Sequence, residues 1–278
     1  MTENKDCFKH RAWWIIKVLL WYFFYQVVCT YGFYALDSCA AWFSGGETDS
    51  FFTNNALLAA SLFLSALLMI WHLTTFGYVK ISPRIFSEVS PSVLAKTVAL
   101  IFGSMYVLNI AMEWIALPDF MKDTFMELSD EPLAVVAMAL LAPIVEEMMF
   151  RGAIQGYLMR RCSNAWTGII ITSLIFGAIH MNPQQMVYAT LLGIILGWIY
   201  YRTRSLLPVI VGHVLNNSIA VASMKIWGKE DVEALSIDDK MIMVPFLLLI
   251  VAALVPLVIK INRKLPAVPH PWREKNED

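Results

Sequence analysis

Apolar segments of near-bilayer length recur along this sequence, and they constrain its fold more than any other feature. A helix that crosses a bilayer needs roughly 20 mainly apolar residues. About eight segments approach that length, by the same criterion: 12–36, 55–79, 92–117, 132–151, 165–182, 184–201, 206–224 and 241–261. Prolines and a Gly-Gly pair separate several of them. The pattern predicts an all-α membrane bundle of about eight transmembrane helices, forming a single domain over residues 1–278.

Composition agrees with a membrane protein. Hydrophobic residues make up 58% of the chain and charged residues only 15%, whereas about a quarter of a soluble domain is charged. The net charge of −1 gives no basic footprint for nucleic acid. The four cysteines show no C-x-x-C spacing, so neither a zinc knuckle nor a disulfide framework is indicated. The expected surroundings are a lipid bilayer.

Lys and Arg residues are concentrated on one side of the predicted bundle. They cluster in the N-terminal tail, in the loops after the second, fourth and sixth segments, and in the C-terminal tail. Positively charged loops favour the cytoplasm, so both termini are predicted to be cytoplasmic. The fifth and sixth segments are joined only by MNPQ and could instead form a re-entrant hairpin. The number of membrane crossings would still be even, so both termini would remain on the same side.

Three charges interrupt the fourth apolar segment, in the stretch IVEEMMFRG. Glu147 and Arg151 are four residues apart and lie on one helix face, where they can pair. Glu146 is rotated by about 100° around the helix, so its carboxylate can point into a cavity instead. Pro143 is well placed to kink this helix. A charge near the centre of a membrane helix costs roughly 2.5–3.5 kcal/mol, so these residues require an explanation.

Two later segments each carry a polar residue pair or an aromatic–polar pair at the same spacing. Phe176 and His180 are four residues apart, just before a proline, and His213 and Asn217 are four apart on the seventh segment. Lipid cannot satisfy these polar groups, so they must face protein or water. Buried ties within a bundle, a proton-relaying transporter and a hydrolytic site all remain open on spacing alone.

The chemistry available to these side chains includes hydrolysis. A carboxylate and an imidazole can deprotonate a water molecule, while a second imidazole and a carboxamide can stabilise an oxyanion. Two histidines and a glutamate are also the ligands of many catalytic zinc sites. The compact H-E-x-x-H form is absent, so a metal would need ligands from separate helices.

Together the three motifs resemble a known family. EEMMFR, FGAIH and HVLNN occur in that order within residues 132–224. This arrangement is similar to the E-E-x-x-x-R, F-x-x-x-H and H-x-x-x-N motifs of the CAAX-protease and bacteriocin-processing (CPBP, or Abi) family of intramembrane endopeptidases. The resemblance implies that Glu146 and His180 activate the attacking water. It also implies that His213 and Asn217 form the oxyanion hole.

The same resemblance implies supporting roles. Glu147 and Arg151 would orient the first glutamate and fix the helix, and Phe176 would pack so as to set the imidazole. Members of the family are commonly regarded as metalloproteases, but water activation by a glutamate and a histidine needs no tightly bound ion. We therefore expect metal-free chemistry, with zinc held by Glu146, His180 and His213 as the alternative.

The resemblance finally implies a substrate class and a location. The expected substrate is a membrane-associated protein or peptide, of CAAX type or like a bacteriocin or signal peptide, cleaved in the cell membrane by a site open towards the cytoplasm. The alternative is a non-proteolytic scaffold with a membrane-protein partner, or a bacteriocin self-immunity protein.

Overall fold

The computed structural model describes residues 2–45, 54–79, 89–162, 164–234 and 240–265. Within those ranges all regular secondary structure is helical and no strand occurs, which confirms the predicted all-α class. The helices are α1 (Thr2–Ser44), α2 (Asn55–Thr75), α3 (Pro91–Ile115), α4 (Lys122–Leu128), α5 (Pro132–Met159), α6 (Ala165–Ala178), α7 (Pro183–Thr203), α8 (Leu207–Ala234) and α9 (Lys240–Lys264).

Several of these helices are long and apolar enough to cross a membrane. Five qualify among the described residues, in α1, α2, α3, α5 and α8, while α6 is apolar but shorter. The chain is therefore a multi-pass membrane protein. The count of eight spans and the cytoplasmic termini stay predictions. The fourth predicted segment was too short, because α5 continues past residue 151 to Met159.

Side-chain caps mark the start of three helices. The side-chain oxygens of Asn54, Ser90 and Asn164 each accept a hydrogen bond from a backbone N–H in the first turn of α2, α3 and α6, respectively. These first-turn N–H groups have no partner within the helix, so a capping side chain supplies the missing acceptor.

Two glycines of α7 allow close contact with α6. A Cβ at Gly193 would lie 3.1 Å from the Cβ of Ser173, and a Cβ at Gly197 would lie 3.1 Å from Cγ2 of Ile169. The facing residue numbers fall on α6 as they rise on α7, so the two helices form an antiparallel hairpin. Small residues four apart are a common feature of tightly packed membrane helices.

The same stretch of α7 also packs against α5. Arg151 Nη2 donates to the carbonyl of Gly193 at 3.2 Å, and Gln155 Nε2 donates to the carbonyl of Gly197 at 2.8 Å. The residue numbers of the contacting pairs increase in the same direction on both helices, so α5 and α7 run parallel. Because glycine has no side chain, it leaves these two carbonyls accessible to the long polar side chains of α5.

An aromatic contact attaches α1 to this core. The Trp14 ring stacks on Tyr157 of α5 at 4.8 Å, and its Nε1 donates to the Ala153 carbonyl at 3.2 Å. Much of the remaining α1 surface is apolar and exposed, as expected for a helix in contact with lipid.

The α6–α7 contact generates a stability prediction at Gly177, next to the end of α6. A Cβ there would overlap the Thr190 side chain and the Met186 carbonyl. We expect Gly177→Ala to destabilise the protein by about 1–3 kcal/mol, because the two helices would have to separate. Gly32→Ala is the matched control, since no heavy atom lies within 4 Å of a Cβ at that position of α1. Equal thermal midpoints of the two variants in detergent would contradict this packing.

Candidate active site

The three predicted motifs lie on three different helices. Glu146, Glu147 and Arg151 belong to α5, Phe176 and His180 lie at the end of α6, and His213 and Asn217 belong to α8. Hydrogen bonds, an ion pair and ring contacts connect these helices around one buried carboxylate.

Glu147 is that carboxylate. Its Oε1 accepts hydrogen bonds from Arg151 Nη1 and from His213 Nδ1, both at 2.8 Å. All three side chains are buried, with Glu147 at 0% exposure. The expected Glu147–Arg151 pair is therefore present. Its contacts also orient His213 of α8, and the orientation of Glu146 by Glu147 stays a prediction.

Glu146 faces the other nitrogen of the same imidazole. The distance from Glu146 Oε2 to His213 Nε2 is 3.6 Å, and the Glu146 side chain is 12% exposed. Neighbouring residues on a helix point in directions about 100° apart. The two carboxylates can therefore flank one histidine ring, one of them bound to arginine and the other partly accessible.

His180 is held differently. Its Nδ1 lies 2.8 Å from the Phe176 carbonyl, which can only accept, so Nδ1 carries the proton and Nε2 of the neutral ring has a free lone pair. No hydrogen bond or ion pair in the described ranges joins His180 to Glu146. Their joint activation of a water molecule stays a prediction.

Phe176 connects the two imidazoles. Its ring makes edge-to-face contacts with His180 at 5.1 Å and with His213 at 5.9 Å. The Arg151 guanidinium lies over the same ring at 4.7 Å from its centre. The side chain is buried, so its position fixes the spacing between α6 and the Glu147 cluster.

Helix lengths explain how His180 reaches the level of Glu146. At a rise of 1.5 Å per residue, Glu146 lies about 20 Å from the end of α5 at Met159. On the same rise, His180 lies about 22 Å from the start of α6 at Ala165. The short α6 therefore ends beside the middle of the longer α5.

Asn217 binds a carbonyl that α5 leaves without a helical partner. The N–H of Ala142 bonds to the Ala137 carbonyl, in a π-helical turn over Ala137–Leu141. The Met138 carbonyl thereby loses its α-helical donor, and its π-helical donor would be Pro143, which has no N–H. Asn217 Nδ2 donates to this carbonyl at 3.1 Å. Pro143 thus creates the acceptor that anchors the amide.

Two further polar residues complete this arrangement. Tyr188 donates to Asn216 Oδ1 at 2.9 Å, and Asn216 Nδ2 donates to Asn217 Oδ1 at 2.8 Å. These contacts fix the orientation of the Asn217 amide and leave the second proton of its Nδ2 without a protein acceptor among the described residues. In the sequence, spacing favours Asn217 over its neighbour Asn216, and Tyr188 belongs to none of the three motifs.

Gln155 was missed as well, although the sequence contained a signal for it. Gln155 follows Arg151 by four residues, and G-x-x-x-G at Gly193 and Gly197 has the same spacing. Matching periods on two helices that pack in parallel let the polar side chains of one reach the glycine carbonyls of the other.

A cavity between α1, α2 and α5 lies next to the cluster. Apolar side chains of the three helices line most of it, and Tyr22, Gln26 and Ser65 add polar groups. Val145, adjacent to Glu146 in sequence, forms part of its wall.

The candidate metal ligands do not form a compact set. In the part of the chain that the structure describes, no three His, Cys, Asp or Glu side chains are grouped closely enough to hold a metal ion. His180 could offer only Nε2 to a metal, because its Nδ1 donates to the Phe176 carbonyl. Glu146, His180 and His213, as arranged here, do not fit a three-ligand zinc site.

Comparison with known proteins identifies the part of the chain that contains these motifs. Residues 128–219 match the family model described as type II CAAX prenyl endopeptidase Rce1-like. This segment is Rce1-like. It includes every residue of the three motifs, from Glu146 to Asn217, so the resemblance noted from the sequence is confirmed.

Two curated relatives match a similar length of chain. A Bacillus subtilis protein named "Putative membrane peptidase YdiL" is 30% identical over 90 residues, which cover 32% of this chain and 36% of the relative. An Escherichia coli protein named "Uncharacterized 24.3 kDa protein" is 33% identical over 96 residues, covering 34% of this chain and 44% of the relative. The chain thus spans less than half of each relative, and no solved structure matches it.

The shared Glu147 oxygen generates a stability prediction for Arg151. We expect Arg151→Met to destabilise the protein by about 3–5 kcal/mol, because it leaves a buried carboxylate without its cation. The double variant Arg151→Met/Glu147→Gln should lose less than Arg151→Met alone, since no unpaired charge remains. Thermal unfolding in detergent measures both. A double variant less stable than the single would contradict the pairing.

Proposed function

We propose that this chain is an intramembrane endopeptidase that hydrolyses a peptide bond of a membrane-associated protein or peptide. The observation that supports it best is the arrangement around His213, whose two ring nitrogens face Glu147 and Glu146. It occurs inside the segment that matches an endopeptidase family. The buried charges support a chemical role, since a purely structural bundle gains little from a second, partly exposed glutamate beside a histidine.

Glu146 is the proposed general base. Glu147 accepts hydrogen bonds from Arg151 and His213, whereas Glu146 is partly exposed and, among the described residues, has an ion-pair contact only with the facing imidazole. A water molecule beside Glu146 would give its proton to the carboxylate as its oxygen attacks the peptide carbonyl carbon. When the C–N bond breaks, the same proton passes to the leaving nitrogen.

His180 would assist the base. Its Nε2 lone pair is free because Nδ1 donates to the Phe176 carbonyl. A water molecule held between Nε2 and the Glu146 carboxylate would donate one hydrogen bond to each of them, and it would bridge the two residues, which make no direct contact. Phe176 keeps the two imidazoles at a fixed spacing.

His213 and Asn217 are the proposed oxyanion donors. His213 Nδ1 must donate to Glu147, because a carboxylate only accepts. When the His213 ring carries a second proton, on Nε2, that nitrogen can donate to the oxyanion. Asn217 offers the remaining proton of Nδ2. Loss of a single oxyanion donor typically reduces turnover by about 10²–10³-fold.

The substrate is proposed to approach from within the membrane. The cavity beside Val145 has mostly apolar walls, which suits a membrane-associated segment of CAAX type or one like a bacteriocin or signal peptide. That the site opens towards the cytoplasm stays a prediction from the positively charged loops. A membrane-protein partner likewise stays a prediction.

The first prediction concerns Glu146. We expect Glu146→Gln to lower proteolysis by about 10²–10⁴-fold, since the amide cannot accept the proton of water. The matched control is Glu113→Gln, which changes an exposed glutamate of α3 in the same way and should cleave normally. Comparative peptidomics of membranes and medium, at equal protein levels, would reveal the fragments and the substrate. Identical peptide profiles, with a cellular phenotype retained by Glu146→Gln, would support the scaffold or self-immunity role instead.

A second prediction concerns metal dependence. Because the three candidate ligands do not converge in the described residues, we expect cleavage by the purified protein to persist after treatment with a strong zinc chelator. Loss of cleavage that added zinc restores, with a thermal midpoint unchanged by the chelator, would overturn the metal-free scheme.

A further inference from the structure

The turn between α6 and α7 is bound to the loop between α3 and α4. Asn182 Nδ2 donates to Asp119 Oδ1 at 2.7 Å, and Asn182 Oδ1 accepts from the Phe120 N–H at 3.1 Å. The backbone adds a third bond, from the Gln184 N–H to the Pro118 carbonyl at 3.3 Å. Asn182 is buried, at 0% exposure. We call the contact between Asp119, Phe120 and Asn182 the clasp.

Asn182 is unusual for its position. It is the residue that precedes α7, where an asparagine side chain ordinarily accepts a hydrogen bond from the first turn of its own helix. Here it makes no such bond, because both of its polar atoms are bound to the α3–α4 loop. By contrast, Asn164, which precedes α6, does cap its own helix through the Trp166 N–H.

The clasp adjoins a strained residue. Met181 has φ +49°, a left-handed conformation that side chains other than glycine disfavour. Its side chain is 74% exposed, so packing of that side chain does not hold the turn. The clasp begins at the next residue. Besides the bond from its own N–H to the Ala178 carbonyl at 3.3 Å, the hydrogen bonds of the clasp are the interactions among the described residues that can stabilise Met181 in this conformation.

Met181 immediately follows His180. The backbone of His180 bonds to the Gly177 carbonyl, and its imidazole bonds to the Phe176 carbonyl. If Met181 relaxed to a right-handed conformation, the direction of the chain after His180 would change, and the last turn of α6 would shift with it. The Phe120 N–H would lose its bond to this turn as well.

We infer that Asp119 and Asn182 are positioning residues that hold His180 in place by stabilising the left-handed turn at Met181. The inference deepens the proposed function and rests on it for the role of His180. It assigns a part in the site to the α3–α4 loop, which contains none of the three motifs and lies outside the Rce1-like segment.

The first test uses strain relief at Met181. Asn182→Ala should lower kcat about tenfold while KM changes little, because the left-handed turn loses its support. Glycine adopts this conformation freely, so Met181→Gly should restore most of kcat in the Asn182→Ala background while changing little in the wild type. No rescue by Met181→Gly would overturn the inference.

A matched control separates positioning from stability. Asn164→Ala removes an ordinary cap at the other end of α6 and should lower the thermal midpoint without lowering kcat in the protein that remains folded. Asp119 Oδ1 accepts two bonds, from Asn182 Nδ2 and, at 3.1 Å, from the Met121 N–H. Asp119→Asn should keep kcat, because an amide oxygen can accept the same two bonds, whereas Asp119→Ala should reduce it as Asn182→Ala does. Equal kcat for Asp119→Ala and wild type would overturn the inference.

A third measurement does not depend on proteolysis. In a thermal double-mutant cycle, Asp119→Ala/Asn182→Ala should lose little more stability than either single variant, because each removes the same clasp. Additive losses would overturn the clasp even if the enzyme were active. A coupled cycle in a protein that cleaves nothing would leave the clasp standing and refute the proposed function.

Discussion

The rest of the site depends on one oxygen atom, Oε1 of Glu147. It accepts from Arg151 on its own helix and from His213 on α8, while Arg151 also reaches the Gly193 carbonyl of α7. A buried charge without partners is strongly destabilising. His213 connects this carboxylate to α8, and Arg151 connects it to α7. Satisfying the carboxylate therefore requires α5, α7 and α8 to adopt one relative arrangement, and that arrangement presents His213 to Glu146.

Glycines on α7 make this arrangement possible. A side chain at Gly193 would press against α6, and one at Gly197 would approach Gln155 Oε1 at 2.9 Å. The same absence of side chains exposes the two carbonyls that accept from Arg151 and Gln155. Close packing of α7 against α6 and polar contact between α7 and α5 therefore have a single cause, and the position of Phe176 between them follows from it.

Relations within one helix could be predicted from the sequence, and relations between helices could not. The spacing of Glu147 and Arg151 determines their pairing, and it sends Glu146 elsewhere, since both follow from helix geometry. Which histidine meets Glu146 depends on the short α6 and on the packing of α8, neither of which spacing encodes. Pro143 was predicted to kink its helix. Beside it the structure has a π-helical turn and a Met138 carbonyl that no helical N–H reaches and that Asn217 binds instead. The bonds of Asn182 to the α3–α4 loop could not be predicted, because an asparagine just before a helix indicates an ordinary N-terminal cap.

Backbone carbonyls hold most of the polar side chains of the site. Arg151, Gln155, His180 and Asn217 each donate to one, at Gly193, Gly197, Phe176 and Met138, respectively. A carbonyl neither titrates nor changes rotamer, so these four side chains keep their orientation whatever the protonation state of the carboxylates. In the proposed mechanism, the groups left to exchange protons are Glu146 and the Nε2 atoms of the two histidines. Fixed donors around a small number of mobile protons are what hydrolysis requires in a membrane interior, where water cannot reorganise to compensate for a misplaced group.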